Sequence, residues 1–190
     1  MNLEFLKTAP KPFFILIAGA SCSGKTTLAR KLANELEAYE PLLLCQDNWF
    51  CDLPNIPRAA NGYLNLECAE AFCLEELRTA VLQLMQGKDI LLPQYDVAAN
   101  RRSGLQTVAS RPVVILEGLH TILLFHRMLQ NRHSIFVNTP KQVCCERRVL
   151  RDTRLFGIDA ERVRTHFNEV IYPFYAPYIA PQREMADELV

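Results

Sequence analysis

The most constraining feature of this chain is the nine-residue run GASCSGKTT at positions 19–27. It matches G-x-x-x-x-G-K-[ST] at every fixed position, and its glycines let the backbone adopt positive φ and approach an anion closely. In this pattern backbone N–H groups surround phosphate oxygens, Lys25 reaches the β- and γ-phosphates, and the Thr26 hydroxyl holds Mg²⁺. The run therefore predicts a site for a nucleoside triphosphate with magnesium. The predicted ATP-binding residues are Gly19, Ala20, Ser21, Cys22, Ser23, Gly24, Lys25, Thr26 and Thr27.

The segments on either side of this loop supply the context that the motif requires. Residues 13–18 are apolar, rich in β-formers and preceded by Pro12, which predicts a strand buried on both faces. Leu28, Leu32 and Leu36 recur every four residues among charged residues, which predicts a helix with one apolar stripe. A helix that begins at the end of the loop adds a favourable dipole for bound phosphate.

Composition restricts the classes of partner. With 190 residues, 49% of them hydrophobic, the chain is long enough for one domain with a sizeable core. Its 21 basic residues balance 21 acidic residues, so nothing predicts a nucleic-acid or anionic-membrane surface. The apolar run at 13–18 is too short to span a bilayer, and the N-terminus lacks a cleavable-signal layout. We therefore expect a cytoplasmic protein that binds small molecules.

The seven cysteines predict neither a zinc site nor a disulfide framework. Their number is odd and no C-x-x-C pair occurs, so free thiols in a reducing cytoplasm are the expected state. Cys22 lies inside the phosphate loop. It is either a small residue at a variable loop position or a redox-sensitive thiol, and both interpretations stay open.

Strand-like and helix-like segments alternate along the chain, which predicts an α/β fold with a mostly parallel sheet flanked by helices. Apolar runs predict further buried strands at 42–45, 113–116 and 134–137, and a short strand at 89–92. A helix is expected at about 67–85.

Other segments are predicted to be loops or helix starts. The polar stretches 48–66 and 93–106 are expected to be loops, and loops of that length are usually functional or disordered. Residues 139–142, with the sequence TPKQ, match a capping box with threonine at the N-cap. Asp159 is expected to cap a helix that runs towards Ile171.

Two carboxylates end predicted strands. Because the carboxyl ends of parallel strands meet at one edge of a sheet, Asp47 and Glu117 are expected to lie near the phosphate loop. Phosphoryl transfer needs a group that orients the nucleophile, and Asp47 is the candidate base; a turn or N-cap aspartate is the alternative. Glu117 is the candidate magnesium ligand, acting through water, or else a solvated carboxylate.

Four arginines crowd one segment of the chain. Arg147, Arg151 and Arg154 follow i, i+4, i+7 spacing, so they are predicted to share one helical face beside Arg148. Guanidinium groups suit phosphate oxygens and stabilise the charge of a transferring phosphoryl group. A solvated basic face is the alternative, but few acidic residues lie nearby in the sequence, which favours the phosphate role.

Together these segments resemble the uridine–cytidine kinase family, part of the P-loop kinases that also include nicotinamide riboside kinase and phosphoribulokinase. The resemblance extends over residues 13–190. It rests on the phosphate loop, Gln46-Asp47 with Trp49-Phe50, residues 66–72, 93–96, 113–118 and 147–152, and Ala186-Asp187. Residues 61–64 are closer to the nicotinamide riboside kinase version of that stretch.

The resemblance implies a P-loop NTPase fold in three layers, formed by a single domain over residues 1–190. It implies a short helical lid at about 148–160 and acceptor-binding insertions at about 48–66 and 93–106. The implied reaction is ATP-dependent phosphorylation of a ribonucleoside 5′-hydroxyl, with uridine or cytidine in pyrimidine salvage as the first expectation. Family members often form homotetramers, so a homo-oligomer stays open.

The resemblance also implies roles for individual residues. The implied catalytic residues are Asp47 as base, Lys25, Arg148 and Arg151. The implied acceptor-binding residues are Asp47, Phe50, Tyr63, Glu67, Tyr95, Asn100, Arg102, Arg148 and Arg151. The implied metal site consists of Thr26 and Glu117.

Departures from the family pattern are concentrated where the acceptor is recognised. Glu67 replaces an aspartate that holds the ribose diol, and Val97 and Asn100 replace an aromatic residue and a histidine. Phe156 and Ile158 replace two lid arginines. Another ribose-bearing acceptor such as nicotinamide riboside, or a small alcohol, therefore stays open. So does a nucleotide-binding regulator with weak or no kinase activity, although the intact phosphate loop and carboxylates argue against it.

Overall fold

The computed structural model describes residues 4–59, 62–97 and 99–190, and a five-stranded parallel sheet lies at its centre. The strands are β1 (Phe13–Gly19), β2 (Leu42–Cys45), β3 (Ile90–Asp96), β4 (Arg101–Val108), β5 (Val113–Glu117), β6 (Arg132–Val137) and β7 (Glu188–Leu189). Their order in the sheet is β2-β5-β1-β6-β7, and each neighbouring pair is parallel. Strands β3 and β4 form a separate antiparallel hairpin. The predicted α/β class is confirmed.

Helices cover both faces of this sheet. They are α1 (Lys25–Glu35), α2 (Leu74–Met85), α3 (Thr121–Phe125), α4 (Lys141–Phe156), α5 (Ala160–His166) and the short α6 (Tyr172–Phe174). π-helical turns at Phe167–Ile171 and Tyr175–Ile179 flank α6, and a 3₁₀ turn follows at Ala180–Met185. Within the described residues, none of these helices combines the length and apolarity that crossing a bilayer requires.

The central strand β1 separates two apolar layers. Every residue of β1 is buried, with Phe14 and Leu16 packed in one layer and Ile15 and Ile17 in the other. This follows because successive side chains of a strand point to opposite faces of the sheet. Helix α1 covers the second layer through Leu32, and α2 and α3 pack into the first. The phosphate loop thus leaves a fully buried strand at the centre of the sheet.

Two predicted boundaries are wrong, and both lie beside the hairpin. The helix expected from residue 67 begins at Leu74, because the backbone at Ala71 and Cys73 pairs instead with residues 49–51. The loop expected at 93–106 is mostly the β3–β4 hairpin, of which Ile90 and Pro93 face the core. The polar residues of β4 hid this strand, since one of its faces lies in solvent and lacks an apolar pattern.

Helix capping follows the prediction at one helix and not at the other. The Asp159 carboxylate accepts hydrogen bonds from the backbone N–H groups of Glu161 and Arg162, which confirms it as the cap of α5. The capping box at 139–142 is wrong. Pro140 is the N-cap of α4, and the Thr139 hydroxyl donates instead to the Ser23 carbonyl oxygen at 2.8 Å.

The segment 48–66 is folded into short turns wherever the structure describes it. A 3₁₀ turn at Gln46–Trp49 follows β2, another lies at Leu53–Asn55, and an isolated bridge joins Arg58 to Leu64. Asn61, which contributes to the likeness to nicotinamide riboside kinase, lies outside the described residues.

Candidate active site

The phosphate loop follows β1 and has glycine at the two places where its backbone demands it. Gly19 has a φ of 153°, and a Cβ there would lie 2.7 Å from the Val137 carbonyl oxygen, so a side chain would push against β6. Gly24 has a φ of 107° at the N-cap of α1, a conformation that L-residues rarely adopt. The strand, loop and helix predicted around this motif are confirmed.

Lys25 and Thr26 begin α1 and point back towards the sheet. The Lys25 ammonium donates a hydrogen bond to the Ala20 carbonyl oxygen at 2.8 Å, and the side chain is buried. The Thr26 hydroxyl donates to Glu117 Oε1 at 2.8 Å, which joins the start of α1 to the end of β5. The loop therefore holds a cation close to a helix N-terminus, an arrangement that attracts a polyanion.

Thr26 and Glu117 also meet the requirements of a magnesium site that is completed by substrate. Mg²⁺ prefers hard oxygen ligands and is usually held by one or two carboxylates together with phosphates and water. One hydroxyl and one buried carboxylate lie together here at the edge of the cleft. Elsewhere in the described residues no group of three or more His, Cys, Asp or Glu side chains could hold a metal ion by itself. The pair fits a cation that arrives with a nucleotide.

Asp47 lies in the 3₁₀ turn after β2, between the buried side chains of Gln46 and Trp49. The Asp47 side chain is exposed to the solvent that fills the cleft, but protein atoms surround it on its other sides. This desolvation, together with the negative charge of Glu117, raises the pKa of Asp47 to about 6, and the Lys25 ammonium opposes the rise. A carboxylate with a pKa of that size can take up a proton and release it near neutral pH.

Arg148 on α4 connects three parts of the molecule. Its Nη1 donates to Ser21 Oγ at 2.8 Å and to Glu67 Oε1 at 3.4 Å, and its Nε donates to Asp152 Oδ2 at 3.2 Å. Arg148, Glu67 and Asp152 are each less than 9% exposed, so these ion pairs are shielded from water. Arg151 Nε also donates to Asp152, at 2.7 Å. One carboxylate therefore orients both guanidinium groups.

Only part of the predicted arginine face on α4 borders the cleft. Arg147, Arg148 and Arg151 line the cleft, whereas Arg154 is exposed and does not contribute to the described cleft wall. Arg147 Nη1 donates to the Ser23 carbonyl oxygen at 3.0 Å. Helix α4 thus contacts the phosphate loop through the side chains of Arg147 and Arg148, and Thr139, just before the helix, adds a third contact.

The phosphate loop, Asp47, Glu117 and the side chains of Arg147, Arg148 and Arg151 border one cleft of about 1070 Å³. Small-molecule sites commonly have volumes of roughly 300–1,000 Å³, so this cleft has room for a nucleotide and a small acceptor together. The predicted site residues that line it are Ser21, Cys22, Ser23, Gly24, Lys25, Thr26, Thr27, Asp47, Phe50, Glu67, Glu117, Arg148 and Arg151. Gly19 and Ala20 form the entry to the loop beneath it.

Phe50 and Glu67 form the cleft wall opposite the phosphate loop. The Phe50 ring stacks on Phe72, with ring centroids 4.3 Å apart. The Glu67 carbonyl oxygen accepts a hydrogen bond from His120 Nε2 at 2.8 Å. Burial raises the pKa of the Glu67 carboxyl and the Arg148 guanidinium opposes the rise. The wall therefore combines an aromatic face with a carboxylate that is already bonded.

Four described residues with predicted acceptor contacts lie away from the cleft lining: Tyr63, Tyr95, Asn100 and Arg102. The Tyr63 ring packs against His166, and the Tyr95 ring packs against Phe50 from behind. Asn100 lies in the hairpin turn, where its carbonyl oxygen accepts from the Leu53 backbone.

Arg102 is bonded to the protein rather than directed to the cleft. Its Nη1 donates to Glu76 Oε2 at 2.7 Å, its Nε donates to the Phe50 carbonyl oxygen, and its backbone N–H donates to Asp52. These bonds fasten β4 to the segment that carries Phe50. Acceptor contacts from Arg102, as from the other three residues, stay a prediction.

Known proteins resemble this chain over nearly its whole length. Residues 14–190 match the model of the phosphoribulokinase/uridine kinase family. The chain belongs to that family. A uridine kinase of Lactobacillus helveticus is 31% identical over 185 residues, which cover 95% of this chain and 86% of the relative. A uridine kinase of Deinococcus deserti is 33% identical over 183 residues, which cover 95% and 87%.

Among solved structures, one described as a possible uridine kinase from Bacillus stearothermophilus has a TM-score of 0.69. It is 18% identical and covers 97% of this chain and 94% of its own, so the likeness concerns the fold. Membership of the phosphoribulokinase/uridine kinase family makes the chain a phosphotransferase, a kinase that uses a nucleotide and a small-molecule acceptor.

Several residues that shape the cleft were not predicted from the sequence. Thr139, Lys31 and Leu155 line it, and Asp152 orients the two arginines that do. Their types gave no signal: Thr139, Leu155 and Asp152 depend on how α4 lies across the phosphate loop, and Lys31 reaches the cleft from α1. Asp152 had one detectable cue, its i, i+4 spacing from Arg148 on a helix.

Proposed function

We propose that this chain transfers the γ-phosphoryl group of ATP to the 5′-hydroxyl of a ribonucleoside, with uridine or cytidine as the acceptor. The observation that carries the proposal is the meeting of Asp47 with the Lys25 loop and the Thr26–Glu117 pair in one cleft. These groups supply a base, a phosphate cradle and a cation site, which are the parts that phosphoryl transfer requires.

In the proposed reaction the Asp47 carboxylate accepts the proton of the acceptor hydroxyl as its oxygen bonds to the γ-phosphorus. The bond from that phosphorus to the bridging oxygen of ADP breaks. Lys25, Arg148 and Arg151 stabilise the negative charge that spreads over the transferring group. Thr26 and Glu117 would hold magnesium, which would supply neutralisation of phosphate charge.

Movement of the lid completes the proposal. Residues 148–160 include the end of α4 and its αL cap Gly157, with a φ of 65°. Leu155 and Phe156 of this segment line the cleft. Closure of the lid over the nucleotide would place these apolar side chains between the phosphates and bulk water, which excludes water during the transfer. An apolar lid tip in place of two arginines leaves charge stabilisation to Arg148 and Arg151.

The choice of uridine or cytidine rests on the curated relatives named uridine kinase. The aromatic Phe50 and the carboxylate of Glu67 on one wall support it, because a nucleoside offers a ring to pack and hydroxyls to bond. All seven cysteines are free, which supports a reducing compartment such as the cytoplasm.

A second candidate is another ribose-bearing acceptor or a small alcohol. Val97 lies on the cleft wall, 53% exposed, where the uridine–cytidine kinase pattern has an aromatic residue. A valine gives a pyrimidine ring less surface to stack on, which favours an acceptor that does not depend on that contact.

The test is a panel of acceptors assayed with Mg·ATP and Mg·GTP, in which ADP or GDP release and the phosphorylated product are both measured. We expect uridine or cytidine to give a 5′-monophosphate and 5′-deoxyuridine to give none. Turnover of nicotinamide riboside alone would favour the second candidate. If no ribonucleoside or small alcohol is phosphorylated, the kinase proposal fails for these acceptors.

Asp47→Asn tests the base within the same assay. We expect kcat to fall by about 10²–10⁴-fold while ATP binding is retained, since the amide cannot accept the proton. Asp89→Asn is the matched control, because the Asp89 oxygen that accepts the Ser110 N–H at 3.1 Å remains available in asparagine. Equal turnover of the two variants would remove Asp47 from the mechanism.

A further inference from the structure

Two cysteine thiols lie against each other beside the cleft wall formed by Phe50 and Glu67, here called the acceptor wall. The Sγ atoms of Cys51 and Cys73 are 2.7 Å apart, and both side chains are partly exposed. Each cysteine follows one member of the stacked pair Phe50–Phe72 in the sequence. No role in phosphoryl transfer uses these thiols.

The backbone holds the two thiols in register. The Cys51 N–H donates to the Ala71 carbonyl oxygen and the Cys73 N–H donates to that of Trp49, both at 2.8 Å. An antiparallel bridge between Phe50 and Phe72 lies between these bonds. A disulfide bond is about 2.05 Å long, so the sulfurs need to approach by only about 0.7 Å.

The two sulfurs share one hydrogen bond, and either of them can be its donor. Burial, and the hydrogen bond shared with Cys73, raise the pKa of Cys51, and the positive charge of Arg102 opposes the rise. Whichever thiol first loses its proton can attack an oxidant, and the other thiol is already in contact with it.

We propose that Cys51 and Cys73 form an oxidation site, at which a peroxide converts the two thiols into an intrachain disulfide. One of the two thiolates attacks one peroxide oxygen, the O–O bond breaks, and a sulfenic acid and hydroxide form. The other sulfur then attacks the sulfenic sulfur, the S–O bond breaks, and the proton of the second thiol leaves with the hydroxyl as water. A dithiol reductant reverses the step by thiol–disulfide exchange.

The disulfide closes the segment 51–73 into a loop. Glu67, the carboxylate of the acceptor wall, lies inside this loop, whereas the phosphate loop and Asp47 lie outside it. Cross-linking restricts the unfolded chain and holds the Phe50–Phe72 stack, so the oxidised protein is the more stable form. Whether the bond also changes acceptor affinity rests on the proposed function; the oxidation site does not.

The test uses the full chain, reduced and then treated with hydrogen peroxide, alkylated and mapped by mass spectrometry. Trypsin cleaves after Arg58, so the disulfide joins the peptide that contains Cys51 to the peptide that contains Cys73. We expect this linked pair, lighter by two hydrogens, with a thermal midpoint raised by roughly 5–10 °C. Dithiothreitol should reverse both changes.

Variants identify the sulfurs, because the same two tryptic peptides also carry Cys45 and Cys68. Cys51→Ser and Cys73→Ser should each abolish the link and the midpoint shift. Cys45→Ser and Cys68→Ser, the matched controls, should retain both. A link that survives in Cys73→Ser, or oxidation of Cys73 to sulfinic acid without any link, overturns the proposal. These readouts need no kinase assay, so they stand or fall independently of the proposed function.

Discussion

The two sides of the cleft are built in different ways. The phosphate side consists of the ends of β1 and β5 and the start of α1. Every residue of β1 and of β5 is buried. The acceptor side consists of 3₁₀ turns, isolated bridges and a hairpin outside the main sheet. Core packing contributes to both sides, because Phe50 and Phe72 belong to the same apolar layer as Phe14, but the second side also depends on polar bonds such as those of Arg102.

This difference predicts on which side of the cleft the amino-acid sequence can change while the fold is retained. A side chain at Gly19 would press on β6, whereas the side chain of Val97, after the end of β3, is largely exposed. Substitutions on the phosphate side are therefore expected to remove activity, and those on the acceptor side to redirect it. The following predictions test that division.

After Asp47→Asn, the largest effect is expected from Lys25→Met. Removal of the buried ammonium takes away a positive charge beside the phosphates, and we expect kcat/KM for ATP to fall by about 10²–10³-fold. Steady-state kinetics with varied ATP measure it. Lys88→Met, which removes an exposed ammonium at the far end of α2, should leave the kinetics unchanged. A similar loss in both variants would refute a local role for Lys25.

Arg148→Met should affect both sides at once. It leaves the buried Glu67 carboxylate without its ion-pair partner and removes one of two partners of Asp152. Breaking a buried ion pair costs about 3–5 kcal/mol of the free energy of unfolding. Urea denaturation measures this change. Arg154→Met, on the exposed face of the same helix, should shift the free energy of unfolding by less than about 0.5 kcal/mol.

The pH dependence of kcat/KM should report Asp47 directly. Its pKa of about 6 means that the base form predominates above that pH. The rate should therefore be constant near pH 7–8 and decrease about tenfold per unit below pH 6, as Asp47 becomes protonated. A profile from pH 5 to 8 measures this limb. The residual activity of Asp47→Asn should lack it, and an unchanged limb in that variant would assign the ionisation to another group.

The smallest effect is expected from Val97→Phe, which adds aromatic surface to the acceptor wall. If uridine stacks there, its KM should fall by roughly 2–10-fold, while the KM for ATP stays constant. Leu91→Phe is the control, because Leu91 is exposed on the same hairpin outside the cleft lining. An unchanged uridine KM would mean that the ring binds elsewhere or that uridine is not the acceptor.

The same division explains what the sequence could predict. The strands 13–18 and 113–116, and the loop between strand and helix, could be predicted because short-range apolar patterns and one motif encode them. The hairpin could not, since β4 is largely exposed and carries no apolar alternation. Nor could the start of α2 at Leu74, which depends on backbone pairing with residues 49–51.

Within the site, the positions of residues at a motif or strand end could be predicted, whereas contacts between distant residues could not. Lys25, Thr26, Asp47 and Glu117 could be predicted, because each follows directly from a strand end or the motif. The contacts of Arg148 with Ser21 and Glu67, and that of Thr139 with Ser23, could not, because each pair lies over 80 residues apart in the chain. Tyr63 and Arg102 were assigned by likeness alone, and both contact protein groups outside the cleft lining.

The triple contact of Arg148 gives the two substrates a common element through which to influence each other. A ligand hydroxyl that bonds to Glu67 Oε1 competes with the 3.4 Å contact from Arg148, and a guanidinium released from that oxygen is freer to turn towards phosphate. Reciprocity then requires that nucleotide, by drawing Arg148 to itself, exposes Glu67 to the acceptor. Either substrate could then bind first, because the binding of each one releases a side chain that the other contacts.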